Sequence, residues 1–246
     1  MSGCTAELLP RRSVRRRACR GLASRRTDGI FEEMMTHSLH RECVVRGLIT
    51  SEHLVQLFDD TESLAQTVAD FLFAGWVKGQ TVLVVARPHE WAATLKQLIG
   101  LGCNVPEATA SGRLLALDAA TTLAGFSQNG LPRADLYHAQ VGALVRHLVA
   151  QNPAGLRIYG EMVNILAAQG DYSAAEQLEG LWNDLGAECS FTLLCGYASA
   201  NFADPRTANA LQSICRSHTH TTVKPTDLLG AWLLSGRQPR FHLSDA

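Results

Sequence analysis

The chain predicts an α/β fold, a mostly parallel sheet flanked by helices on both faces, from three observations. Short runs rich in aliphatic and β-branched residues alternate with longer amphipathic segments from about residue 50 onward. The run "TVLVVA" at 81–86 is apolar at every position but its first, as expected of a strand covered on both faces. Glycine, proline and aspartate stand where helices must stop or start.

"LVQLF" (54–58) predicts the first strand, and Asp59 and Asp60 are capping candidates for a helix carrying Leu64, Val68, Phe71 and Leu72 on its apolar face. Gly79 ends that helix. "TVLVVA" is the second strand, and its helix opens near Pro88, where a missing amide proton costs no helical hydrogen bond. "RLLALD" (113–118) predicts a third strand, 133–151 a long amphipathic helix, "LRIYG" (156–160) a fourth strand and "FTLLCGY" (191–197) a fifth. Between the last two lie a short and a long helix, separated by Gly170 and Asp171 as stop and cap. This alternation implies right-handed crossovers. The expected organisation is a basic, solvated arm over 1–50, one α/β domain over 51–225, and a tail over 226–246 with a short helix.

With 246 residues, 46% hydrophobic and 18% charged, the chain has material for one well-formed core. No stretch approaches the roughly 18 apolar residues of a membrane span, and the N-terminus lacks a secretory apolar segment, so a cytoplasmic location is expected. The seven cysteines are odd in number and form no C-x-x-C pair, which points to reduced thiols rather than a disulfide framework or zinc ribbon. The net charge of −1 conceals a division: residues 1–50 carry +5 and the remaining 196 carry −6. "RRSVRRRACRGLASRR" (11–26), with Arg11, Arg12, Arg15, Arg16 and Arg17, is the segment that phosphate contacts would recruit to nucleic acid. Met34 and Met35 leave open a start of translation beyond this arm, and an Arg-rich targeting segment is a third reading.

Open α/β sheets bind ligands beyond the carboxyl ends of their strands. Asp59, Asp60, Arg87 to His89, Asp118, Glu161 and Tyr197 to Asn201 fall there, and they form no recognised catalytic set. "RPHEWAATL" after the second strand has no glycine and no Gly-Lys pair to cradle phosphates, and neither G-x-G-x-x-G nor G-x-S-x-G occurs. No catalytic residue, metal or cofactor is therefore expected. Glu161 is the leading ligand-contact candidate: it follows Gly160, which leaves open a close backbone approach, and it starts a helix, where the dipole favours a carboxylate. The same placement fits a plain helix-start residue. Asn164 lies one turn on and shares its face.

In the helix at 172–187, Ala174, Leu178, Leu181, Trp182 and Leu185 make a core-facing stripe, with Glu179 and Asn183 on a neighbouring face. Trp182 either packs in the core or walls an apolar pocket. "CRSHTHTT" (215–222) offers Cys215, His218 and His220. This C-x-x-H-x-H run lacks a fourth partner at zinc-site spacing and is expected to be a solvated helix end. His53 would meet it only if the fold brings the two ends of the domain together.

In order, "HLVQLFDDTESL", "KGQTVLVVARP", "SGRLLALDAATTLAGF", "YGEMVNILAAQGD", "LEGLWNDL", "FTLLCGYASANF" and "ICRSHTHTTVKP" resemble the MEDS domain, named for methanogens, methylotrophs and the dichloromethane-responsive regulator DcmR. The resemblance runs from His53 to about Pro225, and "GEM", "LWNDL" and "LLCGY" are its most specific part. It implies a degenerate RecA/KaiC-like core without a phosphate-binding loop, a sensor of small molecules such as hydrocarbon derivatives, and occurrence beside DNA-binding or histidine-kinase modules. It supplies no catalytic residues; Glu161, Trp182, Asn183, Cys195 and Tyr197 match its pattern. No kinase, receiver or helix-turn-helix segment is recognisable in this chain. The expected function is a stand-alone cytoplasmic sensory module that binds a small apolar ligand and signals to a partner such as a histidine kinase or transcription regulator. The ligand-contact candidates are His53, Glu161, Asn164, Trp182, Asn183, Cys195, Tyr197 and His218. The alternatives are a RecA-like nucleotide-dependent hydrolase using Glu161 as general base, and a nucleic-acid-binding adaptor acting through the arginine arm.

Overall fold

The computed structural model describes residues 51–222; the arginine arm and the 226–246 tail lie outside the described residues. In chain order, β1 (Glu52–Phe58) leads to α1 (Thr61–Val77), β2 (Thr81–Ala86) to α2 (Pro88–Gly100) and α3 (Val105–Ala110), and β3 (Leu114–Asp118) to α4 (Ala119–Phe126). A two-residue antiparallel ribbon, β4 (Ser127–Gln128) with β5 (Leu131–Pro132), precedes α5 (Ala134–Tyr137), a π-helical turn (His138–Gly142) and α6 (Ala143–Gln151). Then come β6 (Leu156–Gly160), α7 (Met162–Ala168), α8 (Tyr172–Glu188), β7 (Thr192–Ala198), two 3-10 turns, α9 (Ala208–Arg216) and β8 (His220–Thr222).

Six strands form one sheet in the order β3-β2-β6-β7-β1-β8, and every pair in it is parallel. The order is compatible with a RecA/KaiC-like core. Alternation along each strand divides its residues between two apolar layers. Val55, Leu57, Leu83, Val85, Ile158, Leu193, Cys195 and Tyr197 belong to the layer shared with α4 to α9. Leu54, Phe58, Val82, Val84, Ala86, Tyr159 and Leu194 belong to the layer under α1 and α2. Burial on both faces explains why the strands read as continuous apolar runs.

The predicted starts and stops have their expected partners. Asp60 caps α1 by accepting from the Ser63 amide at 2.7 Å, and Asp171 caps α8 by accepting from the Ala174 amide at 3.0 Å. Gly79 and Gly170 hold φ near +78°, the left-handed backbone that lets a helix stop sharply. Among the described residues, no helix is long and apolar enough to cross a membrane.

Three features differ from the sequence reading. The predicted helix at 133–151 is interrupted by the π-helical turn, beside which Arg146 reaches back to the His138 carbonyl and ring. Gly160 needs neither a positive φ nor a close approach, since a Cβ there would meet only Leu193 at an ordinary 3.6 Å. The third matters most: the segment read as a solvated helix end continues into β8, which pairs with β1. The Thr219 amide donates to the His53 carbonyl at 2.7 Å, and the His53 amide donates to Thr219 Oγ1 at 3.0 Å, so the two ends of the domain are laced together.

Candidate functional site

At the carboxyl edge of the sheet, Glu161 extends the β6 ladder by donating its amide to the Val85 carbonyl at 2.9 Å. It stands immediately before α7 yet makes no side-chain cap bond. Its fully buried carboxylate turns instead to Arg87, accepting from the Arg87 amide at 2.8 Å and Nε at 2.5 Å and from Nη2. Glu161 is thus a buried latch between the ends of β2 and β6, and Arg87 is the partner that sequence reasoning left unassigned.

Glu90 of α2 is a second buried carboxylate beside this pair. Its Oε1 accepts from Thr61 Oγ1 at 3.3 Å and lies 3.7 Å from Arg87 Nη2 and 3.4 Å from His89 Nε2. Its Oε2 is buried with no hydrogen-bond partner, as is the hydroxyl of Tyr159. Burial first, and then the charges of Glu161 and Glu90, push the Tyr159 phenol well above its ordinary range. Asn164 ties the next strand end: its Oδ1 accepts from the Ala198 amide at 2.9 Å and from Asn201 Nδ2 at 2.8 Å.

A second polar cluster lies between the sheet and helices α8 and α9. His53 on β1 and Cys195 on β7 share the sheet face that α8 covers, Cys195 being the register partner of Val55, two residues on from His53. Glu179 enters from α8 and is fully buried, and His218 enters from the turn after α9 with a fully buried side chain. His53 Nε2 is 3.1 Å from Glu179 Oε2 and 3.4 Å from Cys195 Sγ, and that sulfur is 3.5 Å from the same carboxylate oxygen. His218 Nε2 stands 3.4 Å from Glu179 Oε1 but is not aligned for a hydrogen bond. The two imidazoles lie against each other with centroids 4.0 Å apart.

Hydrogen bonds on the outer side orient these groups. Asn183 Nδ2 donates to the Ser217 carbonyl at 3.0 Å, which leaves its Oδ1 to accept from His53 Nδ1 at 2.8 Å. His218 Nδ1 lies 2.7 Å from the Ile214 carbonyl, which can only accept. Both rings therefore carry a proton on Nδ1 and turn Nε2 inward. Tyr197 Oη donates to Glu179 Oε1 at 2.8 Å. Burial opposes ionisation of Glu179, but the facing His218 and His53 charges and the His53 hydrogen bond outweigh it and hold the carboxyl well below its ordinary range. For His218, burial is likewise outweighed by Glu179, and the imidazole is raised above 6.5. Burial followed by the Glu179 charge raises the Cys195 thiol; Tyr197 is raised by burial, Glu179 and Cys195.

The sequence-selected residues thus divide into two groups. Glu161 and Asn164 belong to the strand-end cluster; His53, Asn183, Cys195, Tyr197 and His218 belong to the cluster under the sheet. Trp182 joins neither by a direct polar contact and packs edge-on to Tyr137 and Phe191, with centroids at 5.5 and 6.1 Å. The expectation of a solvated helix end is corrected at His218, whose ring the β1–β8 pairing draws inside. Glu179 was missed as a site residue, although it stands four residues after Ala175 and three before Trp182, both buried. A carboxylate at that spacing falls on the core stripe itself.

A search among curated proteins finds no match. The family model described as MEthanogen/methylotroph, DcmR Sensory domain, or MEDS, matches residues 52–219, the whole span from β1 to the turn before β8. With more than half of its length matched, the chain belongs to the MEDS sensory-domain family.

Proposed function

We propose that this protein is a cytoplasmic sensory module that binds a small, largely apolar ligand at the carboxyl edge of its sheet and relays the change to a regulatory partner, such as a histidine kinase or a transcription regulator. The match to a sensory-domain family over 52–219 carries this reading. The strand-end geometry supports the location. Glu90 Oε2 and Tyr159 Oη are each buried without a hydrogen-bond partner, a costly arrangement that a ligand donor to the carboxylate or a ligand acceptor for the phenol would relieve. The Arg87–Glu161 latch joins two strand ends beside them, so a ligand that draws Arg87 away favours a second arrangement of this edge. Relay requires that difference in affinity between two states.

Nucleotide hydrolysis is less well supported. The turn between β1 and α1 presents Asp59 and Asp60 and no glycine, so it opposes a phosphate instead of cradling it. Both oxygens of Glu161 are engaged by Arg87, which leaves that carboxylate poorly placed as a general base.

The test is a thermal-shift screen of the full chain against short alcohols, halogenated hydrocarbons and nucleotides. A ligand at a hundred times its dissociation constant stabilises the fold by about 2.7 kcal/mol. Stabilisation by an alcohol or halogenated compound that is lost in Glu90→Gln supports the reading. Stabilisation by nucleotide alone, or a response to an apolar compound unchanged by Glu90→Gln, overturns the proposed ligand or its place.

A further inference from the structure

We propose that His53, Glu179, Cys195 and His218 form a four-coordinate site for a divalent transition-metal ion of the Zn²⁺ class, joining β1 to the segment that enters β8. This goes beyond the sensory reading and rests on different residues from the strand-end site.

Distance is the first argument. Zn²⁺ holds imidazole nitrogen and carboxylate oxygen at about 2.0–2.2 Å and thiolate sulfur at about 2.3 Å, so tetrahedral ligand atoms lie about 3.3–3.6 Å apart. His53 Nε2, Glu179 Oε2 and Cys195 Sγ form a triangle with edges of 3.1, 3.4 and 3.5 Å. That is close to one face of such a tetrahedron. His218 Nε2 supplies the fourth corner: one ligand atom from each of the four residues can be chosen so that all lie within 4.8 Å of one another. A side-chain adjustment of about an ångström closes the figure.

The protons of the two imidazoles point the same way as the distances. Both Nδ1 atoms donate outward, to Asn183 Oδ1 and to the Ile214 carbonyl. Protonating both Nε2 atoms as well would bury two imidazolium ions against one carboxylate. Leaving both bare would turn two nitrogen lone pairs towards carboxylate oxygens. The Cys195 thiol can serve His53 Nε2, but His218 Nε2 is buried with no hydrogen-bond partner. A cation coordinated by both lone pairs removes the conflict.

The outer contacts are those a metal site needs. Metal-bound histidines commonly donate their other N–H to a carbonyl or carboxylate, which fixes tautomer and ring orientation. Asn183, itself anchored on the Ser217 carbonyl, does this for His53, and the Ile214 carbonyl does it for His218. Tyr197 Oη bonds the Glu179 carboxylate. Two imidazoles, one sulfur and one carboxylate suit Zn²⁺ or a related transition metal, not Mg²⁺ or Ca²⁺, which take oxygen ligands in larger shells. On binding, the Cys195 thiol and any imidazole Nε2 that carries a proton release their protons to solvent, so the ion faces a thiolate, a carboxylate and two neutral imidazoles and the site is neutral overall.

The experiment uses the full chain, reduced, stripped with a chelator and titrated with Co²⁺ and then Zn²⁺. The expected result is one Co²⁺ per chain, with tetrahedral visible bands and a thiolate-to-cobalt charge-transfer band, all displaced by Zn²⁺. Cys195→Ser abolishes the charge-transfer band, whereas Cys103→Ser, in the other apolar layer, retains it. Asn183 is exposed, so Asn183→Ala leaves the core intact and provides a second reading: Zn²⁺ affinity falls about 10–100-fold. Absence of a cobalt spectrum in the wild-type chain, a band that survives Cys195→Ser, or an affinity unchanged in Asn183→Ala overturns the proposal.

Discussion

Replacing Arg87 by alanine removes the side chain that neutralises a carboxylate with no exposure of its own. Glu161 loses two of its three contacts, those from Nε and Nη2, and keeps the one from the Arg87 amide. Breaking a buried ion pair from one side costs about 3–5 kcal/mol. Here the guanidinium is 33% exposed, so solvent already screens the pair and can reach the remaining carboxylate. The cost therefore falls at or below the lower end, at about 2–3 kcal/mol. In a domain of this size 1 kcal/mol moves the melting temperature by about 2–4 °C, so Arg87→Ala lowers it by about 4–12 °C. Glu161→Gln in the Arg87→Ala background removes the stranded charge, and the double variant recovers part of the loss. Denaturant and thermal melts of the four species complete the cycle. A single-variant shift under about 1 °C, or strict additivity, would refute the latch.

Other consequences follow from the packing. Gly75→Ala places a Cβ 2.5 Å from the buried Arg157 Cδ, whose guanidinium bonds the Phe71 carbonyl and Gln80, and overpacking of this kind costs about 1–3 kcal/mol in a urea melt. Trp182→Ala leaves a cavity beside Tyr137 and Phe191 and lowers stability by about 3–5 kcal/mol, measured by circular dichroism. Asp60→Ala removes the α1 cap and costs about 1 kcal/mol in the same assay. Tyr137 and Tyr159 are raised well above 10.0, by burial and then by neighbouring charges, so the native state keeps protons that the unfolded chain gives up. Their effect on stability is absent below pH 10 and destabilising as pH rises through that value. An ultraviolet titration should accordingly show fewer phenolates near pH 10.5 in native protein than in urea, and equal counts would contradict the burial.

Much of the fold was legible because its determinants are local. The "TVLVVA" run, the Gly79 and Gly170 stops and the Asp60 and Asp171 caps each declare themselves within a few residues. The site was legible only in pieces. Cys195, Asn183 and Tyr197 were selected by resemblance, and His53 and His218 by residue type, but their convergence depends on β8 pairing with β1 across some 166 residues of chain. The three-residue β8, made of His220, Thr221 and Thr222, has no apolar pattern to announce it. Glu161 illustrates the opposite limit. Its place before a helix was correctly anticipated, while its partner Arg87 lies 74 residues away and no local spacing relates the two. Glu179 was visible in principle, as the one carboxylate on an otherwise apolar stripe of α8, and its burial among histidines follows from that position.

A metal ion held by His53, Glu179, Cys195 and His218 would clasp β1 to the segment entering β8. Hydrogen exchange of the full chain, compared in chelator and in Zn²⁺, tests it most directly. Slower exchange confined to β1 and to residues 214–222, with α1 and α2 unchanged, is the predicted result. Identical exchange in the two conditions would contradict the clasp.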